Sequence, residues 1–449
     1  MLTVDIASEL RIATAVSRFS EYSNEIESTI NRLKTDQSHY SSIQIEGILN
    51  GNAVSALQHL IPVNIRKEAG IFFTNTDLAD RVATHLAPLL NRRIKLLDPA
   101  CGAGNLLVAC ARYLPVENSL RTTLQTWSHI IGGYDLFPEF VRAARLRLIL
   151  MAASRHTEEN NMFDNIDINN CFPDLEVKNM ISCQLIPPVT CIVVNPPFGY
   201  APSPENCQWT TGRTQIAGLF IEKLIRNAQE GQHIVAILPD VLKSGTRYKK
   251  WRNLIVKLSA SIEVEQIGRF DADTDVDVFI LHAVVGNAND IQKKWPCQLP
   301  ITKGLTHRVS DYFDIHVGTI VPHRDTDEGT SYPYIHTKTT HPWETLERIT
   351  EERVITKRAF SPPFVTVRRT SSPSDIYRCV ATIINERRKV AVENHLIVLL
   401  PKDKSLLSCR QLMKIFKTKE TNEWLNQRIR CRHLTVTALK ELPCNEIAT

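Results

Sequence analysis

An asparagine, two prolines and an aromatic residue follow one another at Asn195, Pro196, Pro197 and Phe198. The four residues before them, 191–194, are β-favouring and apolar, which is typical of a short buried strand in a parallel sheet. Neither proline can continue a ladder of hydrogen bonds, so the strand must end here and the chain must leave the sheet. In open α/β sheets this carboxyl edge is where ligands bind.

The side-chain carbonyl of Asn195 and the backbone carbonyl of Pro196 both offer a hydrogen-bond acceptor at that edge. Two neighbouring acceptors suit an amine that has two hydrogens to donate, and Phe198 adds a flat apolar face for stacking. The group therefore suits a planar heterocycle with an exocyclic amino group. The structural alternative is a tight turn with Phe198 inside the core, and a short motif alone does not decide between the two.

A second motif combines an acid with two glycines. Residues 94–97 read as a strand, which ends at Asp98, and the turn after it contains Gly102 and Gly104. Glycines in such a turn let the backbone approach a ligand closely. The third glycine of the dinucleotide fingerprint is replaced by leucine, and the acid favours a ligand with a cationic group over a pyrophosphate. S-adenosylmethionine therefore suits the turn better than NAD.

An acid also stands at the tip of the next strand, at Asp135, where it would accept both hydroxyls of an adenosine ribose. Upstream, Gly70, Phe73 and Thr74 precede an amphipathic helix at about 77–90, for which Thr74 or Thr76 can provide the cap. Strands alternate with helices from residue 70 to 286, which predicts a doubly wound, mostly parallel α/β sheet. Its further strands are expected near 166–172, at 191–194, at 234–239 and at 276–285, the last closing the sheet.

The chain has 449 residues, enough for two or three domains, and its 43% hydrophobic content is that of a globular protein. Residues 301–449 carry 24 basic against 17 acidic side chains, and residues 353–389 carry nine against two. All the positive excess lies in this last third, which favours a surface that faces a polyanion. A polar stretch at 288–302 marks the boundary before it. The helical spacing of residues 1–60 predicts two or three packing helices.

The eleven cysteines include no CxxC pair, so neither a metal site nor a disulfide framework is expected. The sequence also lacks a signal peptide and has no apolar run near the ~18 residues of a membrane span. We therefore expect a cytoplasmic protein without a membrane partner.

In series, these motifs resemble the S-adenosylmethionine-dependent, adenine-specific DNA methyltransferases of restriction-modification type, over roughly residues 65–440. The resemblance implies the class with the GxFxT element first, then the cofactor loop, the NPPF loop and a target recognition domain. The cofactor-binding residues that it implies are Phe73, Thr74, Asp98, Ala100, Gly102, Gly104 and Asp135. The catalytic residues that it implies are Asn195, Pro196, Pro197 and Phe198.

The resemblance also implies a Rossmann-like methyltransferase domain at 65–290, after a helical segment at 1–64 and before an α+β recognition domain at 301–449. Duplex DNA is then the partner, with a separate restriction endonuclease or a defence-system subunit as a further one. Two positions depart from the family: Asn75 replaces proline, and the third strand lacks the acid that contacts the cofactor's adenine. That contact stays unassigned.

Two alternatives remain. A protein-glutamine or ribosomal-RNA methyltransferase could use the same fold and loop, but the basic last third argues against it. A catalytically silent DNA-specificity subunit is a third reading, and the intact Asn195, Gly102 and Gly104 argue against that one.

Overall fold

A computed structural model divides the chain into two compact units, Met1–Leu242 with Lys249–Pro296, and Lys243–Tyr248 with Cys297–Thr449. The residues that the structure describes are 6–35, 45, 46, 49, 52–91, 94–156, 163, 166–183, 187–271, 276–286, 295, 296, 307–325, 328–371, 375–429 and 433–447. The boundary predicted at 288–302 lies outside the described residues, apart from positions 295 and 296.

The first unit is built on a twisted sheet with the order β3-β2-β1-β4-β7-β9-β8. Its strands are β1 (Leu96–Asp98), β2 (Ile131–Asp135), β3 (Leu175–Val177), β4 (Cys191–Val194), β7 (His233–Pro239), β8 (Ser259–Arg269) and β9 (Asp277–Val285), and a separate hairpin contains β5 (Tyr200–Pro202) and β6 (Arg213–Gln215). The strands from β3 to β7 are parallel, whereas β9 runs antiparallel to both β7 and β8. The predicted doubly wound α/β class is confirmed.

Helices cover both faces of this sheet and alternate with the parallel strands. They are α1 (Ile6–Ser17), α2 (Ser20–Thr35), α3 (Asn52–Leu60), α4 (Val63–Ala69), α5 (Thr76–Leu90), α6 (Asn105–Ala111), α7 (Leu120–Ile130), α8 (Pro138–Ala153), α9 (Ile216–Asn227), α10 (Asp240–Ser244) and α11 (Lys249–Lys257). Among the described residues, no helix is both long and apolar enough to cross a membrane.

Two details of the predicted sheet are wrong. The third strand was expected near 166–172, but that stretch forms a short 3₁₀ helix, and Phe172 turns the chain with a φ of 54°. The strand itself is β3, which starts at Leu175, opposite Gly133 of β2. In addition, residues 276–285 do not close the sheet, because β8 pairs with β9 on its outer side.

The N-terminal helices share a hydrophobic core with the sheet. Phe19, between α1 and α2, is fully buried and contacts Phe73 and Phe140 edge to face, with ring centroids 5.6 and 5.0 Å apart. Apolar residues from Val16 onward belong to the same cluster as Ile280 of β9. The helices of residues 1–64 therefore support the segment that carries Phe73.

The second unit contains mostly antiparallel sheets and a group of helices. Its elements are β10 (His307–Arg308), α12 (Val309–Tyr312), β11 (Phe313–Val317), β12 (Thr330–Ile335), β13 (Thr345–Leu346), β14 (Glu352–Ile355), β15 (Phe364–Arg368), β16 (Ala381–Ile384), β17 (Ala391–Val392), β18 (Leu396–Pro401), α13 (Leu406–Phe416), α14 (Lys419–Arg428), α15 (Val436–Glu441) and β19 (Pro443–Cys444). The largest sheet has the order β11-β18-β15-β16-β13, and helices α13 to α15 contribute to its core.

Much of the positive charge in residues 353–389 is used inside this unit. The side chains of Arg353, Arg368 and Arg378 donate to backbone carbonyls, whereas Lys357 and Arg388 pair with Asp325 and Glu352. These five cations stabilise loops and strand ends. Fewer basic side chains of residues 353–389 are therefore available to an external partner than their number in the sequence suggests.

Candidate functional site

Three polar side chains meet at the carboxyl edge of the parallel strands. Asp98 and Asp135 are the last residues of β1 and β2, and Asn195 follows directly on β4. Because β1 pairs in parallel with both other strands, the three positions share one edge of the sheet. The fold thus brings together three side chains that lie in separate stretches of the sequence.

A cleft opens at this edge, and a smaller inner pocket adjoins it. Phe72, Phe73, Ala100, Gly102 and Asn195 line both spaces. The inner pocket is lined further by Thr74, Asp98, Cys101, Asn105 and Leu106. The cleft is lined further by Asp135, Leu136, Phe137, Lys178, Asn179, Met180, Ile181, Pro197 and Phe220, among others.

The amide of Asn195 has a fixed orientation. Its Nδ2 donates to the backbone oxygen of Phe72 at 3.2 Å and to Oγ1 of Thr74 at 3.1 Å. A carbonyl oxygen only accepts, so the amide cannot be flipped without losing the first bond. Oδ1 therefore points away from both partners, and it is buried without a hydrogen bond among the described residues. The side chain thus presents one unsatisfied acceptor to the site.

Thr74 holds Asn195 and does not cap the following helix. The predicted cap, Thr74 or Thr76, is wrong: α5 is capped by Asn75, whose side chain accepts a hydrogen bond from Leu78 N at 2.9 Å. Asn75 also donates to the backbone oxygen of Phe270 at 3.3 Å. Asparagine is among the best residues for this position, so the departure from proline at 75 leaves Thr74 available to the site.

Two glycines of the cofactor loop are required for different reasons. At Gly102, φ is +51° and an added Cβ would lie 2.8 Å from the ring of Phe73. At Gly104, φ is +82° and the Cβ would lie 2.9 Å from that of Ala144 in α8. Gly102 therefore lets the loop close on Phe73, whereas Gly104 lets the following helix pack on α8. Any larger side chain would strain the loop at either position.

Asp135 organises the loop as well as facing the cleft. Its Oδ2 accepts from Gly102 N at 2.9 Å, and its Oδ1 accepts from Phe137 N at 3.0 Å. Burial raises the pKa of Asp135 to about 6, against the effect of these amides. An ionised carboxylate has about four acceptor positions, so two remain for a ligand's hydroxyl groups. The carboxyl of Asp98 is more deeply buried, and burial raises its pKa to about 8.

The raised pKa of Asp98 makes stability depend on pH. Between pH 3.8 and about 8 the unfolded chain loses this proton while the folded chain keeps it. The free energy of unfolding should therefore fall as pH rises through that window. Asp98→Asn stays neutral, so we expect this variant to lack that part of the decline in the free energy of unfolding. The measurement is chemical unfolding of both proteins at pH 5.5 and at pH 8.5, without cofactor. An equal decline in both proteins would contradict the assignment.

A buried arginine that the sequence did not indicate lies behind the loop. Arg147 of α8 donates to the backbone oxygen of Ala103 at 2.6 Å and to the side chain of Asn105. Asn105 in turn donates to the backbone oxygen of Thr74. A chain of hydrogen bonds thus connects a buried cation to Asn195 through the two cofactor motifs. Because Arg147 lies within an apolar helix pattern, its partners could be identified only from the structure.

The residues after β3 were also missed, because that strand was misplaced in the sequence. Lys178, Asn179, Met180 and Ile181 follow β3 directly and line the cleft near Asp135. They occupy the place where the unassigned contact to the cofactor's adenine was expected. Here the positions that follow the strand are a lysine and an asparagine, and the nearest acids are Glu176 within the strand and Asp174 before it.

The NPPF loop is divided between the cleft and the core. Pro197 lines the cleft, whereas Pro196 is buried. The ring of Phe198 is only 9% exposed, stacks on Phe72 at 6.3 Å and contacts Phe270 edge to face at 5.2 Å. Phe198 therefore forms part of the wall behind Phe72. This position agrees with the alternative interpretation of the motif, a tight turn with Phe198 inside the core. Gly70 approaches this loop so closely that a Cβ would lie 3.2 Å from that of Pro197.

Several solved structures similar to this chain are those of restriction-modification enzymes. The type IIL enzyme MmeI in complex with DNA is 11% identical and aligns over 90% of this chain and 71% of its own, with a TM-score of 0.46. The type IIG restriction endonuclease BpuSI is 13% identical, with 89% and 62% aligned and a TM-score of 0.44. The M protein of the type I restriction enzyme EcoKI is 16% identical, with 63% and 67% aligned and a TM-score of 0.37.

The chain thus spans about two thirds of the length of these three proteins. A family model described as N-6 DNA Methylase matches residues 57–263, which include the GxFxT segment, the cofactor loop and the NPPF loop. The match confirms the family that the motifs indicated and, with it, S-adenosylmethionine as the cofactor. Residues 57–263 therefore form a methyltransferase domain of the N-6 DNA methylase family.

Proposed function

We propose that this chain transfers a methyl group to the 6-amino nitrogen of adenine in duplex DNA. One observation carries the proposal: Asn195 Oδ1 is a buried acceptor without a hydrogen bond among the described residues, beside the cofactor cleft. Leaving such an atom unsatisfied costs about 1–3 kcal/mol. An amino group of the substrate would satisfy it, so the site is organised for an amine donor.

The 6-amino group of adenine is a poor nucleophile because its lone pair is delocalised into the ring. Asn195 Oδ1 and the backbone carbonyl of Pro196 would each accept a hydrogen bond from this amino group. Together these hydrogen bonds would draw the nitrogen towards tetrahedral geometry. S-adenosylmethionine, when bound, supplies an electrophilic methyl group on its sulfonium. The nitrogen would form the new bond to the methyl carbon while the carbon–sulfur bond breaks and S-adenosylhomocysteine leaves, and it would then lose one hydrogen to solvent as a proton. Asn195 acts through position and preorganised electrostatics.

We assign the cofactor to the cleft that Asp135 and the glycine loop line. Asp135 would accept the ribose hydroxyls, and Asp98 with Phe73 and Thr74 would face the methionine end in the inner pocket. A cationic ligand beside Asp98 would favour its ionised form and lower its pKa. The segment at Lys178 and Asn179 would lie against the cofactor's adenine.

The target base must leave the duplex, since its amino group is paired and stacked inside it. Pro197 and Phe220 provide apolar surface in the cleft close to Asn195. Because Phe198 stacks on Phe72, which itself lines the cleft, we assign Phe198 to the support of that wall. The direct stacking of Phe198 on the base stays a prediction.

We infer further that residues 301–449 form the recognition domain, and that the protein acts in a restriction-modification or phage-defence system. The positive excess of this region supports contact with phosphates. A separate restriction endonuclease or defence-system subunit would be the partner. Five of the cations in 353–389 already have partners within the unit. The remaining basic residues are therefore the candidates for DNA contacts.

The experiment is single-molecule sequencing of unmethylated duplex DNA after incubation with the full-length protein and S-adenosylmethionine. We expect N6-methyladenine within one defined sequence motif, and none with Asn195→Ala. A duplex with 2-aminopurine at the target position should gain fluorescence on binding, because the base leaves the stack. Methyl transfer to a protein glutamine or to ribosomal RNA instead of DNA would overturn the proposal. DNA binding without any methylation would identify a specificity subunit.

A further inference from the structure

A second cluster of ligand-type side chains lies at the sheet edge opposite the cleft. His85 belongs to α5, whereas Glu263 and His282 face each other directly on β8 and β9. Next to them, His233 is the first residue of β7, whose parallel neighbour β4 leads to Asn195 at its other end. The cluster is therefore at the amino ends of the parallel strands, away from the cofactor motifs.

The strand pattern directs these side chains towards α5. Val278, Ile280 and His282 alternate along β9 and so share one face of the sheet. The first two pack in the same core cluster as Leu86 of α5. His85 is adjacent to Leu86 on that helix, at the rim of the apolar contact. The row of core side chains along β9 thus ends in His282, which lies with His85 partly buried between α5 and the sheet.

Three ligand atoms converge there. Nδ1 of His85 and Nδ1 of His282 lie 3.9 and 3.8 Å from Oε2 of Glu263, and all three atoms are within 4.8 Å of one another. These separations are too long for direct hydrogen bonds. They are close to the roughly 3.3 Å between ligands of a tetrahedral metal with bonds of about 2.0–2.1 Å.

The outer nitrogens of both rings have partners that orient them. Nε2 of His85 is 2.9 Å from the carboxylate of Glu265, which can only accept, so this nitrogen carries the hydrogen and in the neutral ring Nδ1 presents its lone pair. Nε2 of His282 is 3.0 Å from Nδ1 of His233. Such outer-shell partners fix ring orientation in metal sites. Arg81 pairs with Glu265 and balances its charge.

We propose that His85, His282 and Glu263 bind a divalent transition-metal ion, with Zn²⁺ as the expected occupant. Two imidazoles and a carboxylate suit this ion, and water completes the coordination. The side chain of Glu263 is 71% exposed, so it can move the roughly half an ångström that brings its oxygen to ligand distance from the two nitrogens. The ion would join α5 to the antiparallel edge of the sheet. Sequence spacing could not reveal the site, because its ligands come from three distant elements.

The test is equilibrium dialysis of untagged, chelator-treated full-length protein against ZnCl₂ and CoCl₂, with elemental analysis and the visible spectrum of Co²⁺. We expect one ion per chain and nitrogen–oxygen coordination of Co²⁺. Glu263→Gln should weaken binding more than about 100-fold, and Glu265→Gln by about 10–100-fold, since it acts only through His85. His129→Asn, at an exposed histidine in the last turn of α7, should bind as the unaltered protein does.

The eleven cysteines of the chain are the competing ligands. Binding that Glu263→Gln leaves unchanged, or a thiolate charge-transfer band with Co²⁺, would assign the ion to cysteine and overturn the proposal. Less than one ion per chain at saturating ZnCl₂ would overturn it as well. Because Glu263 is a surface residue, its variant should keep the far-UV circular dichroism of the unaltered protein, so lost binding can be attributed to the ligand.

Discussion

Replacing Asn195 by alanine is expected to lower the rate of methyl transfer by about 10²–10³-fold, the usual effect of removing one preorganised polar contact from an active site. The variant loses the unsatisfied Oδ1 that would accept a hydrogen from the target amine. Cofactor affinity should change little, because Asp135 and the glycine loop remain. Single-turnover methylation of cognate duplex and calorimetric titration with S-adenosylmethionine measure the two quantities separately.

Thr74→Val provides a second variant, because valine has nearly the same shape as threonine. It removes the hydroxyl that Asn195 Nδ2 contacts at 3.1 Å but leaves the bond to Phe72. The amide is then held by one partner instead of two, so we expect a smaller loss of rate than with Asn195→Ala. If Asn195→Ala keeps near-normal activity on its DNA, Asn195 is not the catalytic residue. If Thr74→Val is the more damaging of the two, orientation through Thr74 is not its main role.

Asp135→Ala is expected to weaken the binding of S-adenosylmethionine by about 100-fold or more. Hydrogen bonds to a charged group contribute about 1.5–3 kcal/mol each, and a ribose offers two hydroxyls. The variant also releases the amides of Gly102 and Phe137, so the loop itself loses support. Calorimetric titration measures the change, and the affinity for DNA should stay within a few-fold of its original value.

Glu139→Ala is the matched control, since Glu139 is a nearby acid in the first turn of α8. It removes the same charge from the same end of the domain but should leave cofactor affinity unaltered. Equal losses in the two variants would indicate a general electrostatic effect, and unchanged affinity in Asp135→Ala would move the ribose site elsewhere. The pKa of about 6 adds a further expectation: affinity should fall as pH drops below that value, because a protonated carboxyl accepts fewer hydrogen bonds.

The elements with strong local signals could be predicted from the sequence. The buried strands that lead to Asp98, Asp135 and Asn195 were identified because an apolar run that meets an acid, or an asparagine and prolines, has few structural interpretations. By contrast, β3 has only three residues, with Glu176 at its centre, and β8 is largely polar because it is an edge strand. Neither has the apolar periodicity on which sequence interpretation depends.

Contacts between distant elements were the other part that could not be predicted. Arg147 lies in an apolar helix, and its partners are 42 to 98 positions away in the chain. His85 and Glu263 are likewise separated by most of the domain. Phe198 is a further case, because Phe72 and Phe270, whose rings contact its own, lie far from it in the sequence.

The aromatic contacts of Phe19 also determine the order in which the chain can fold during synthesis. Phe19 leaves the ribosome before its partners Phe73 and Phe140, which follow only after many further residues. At about 5–20 residues per second, the last of them emerges roughly 6–24 s later. Short helices are marginal in water without packing, so α1 and α2 must wait with their apolar faces uncovered. The segment with α1 and α2 therefore lacks these packing partners until α8 has been made.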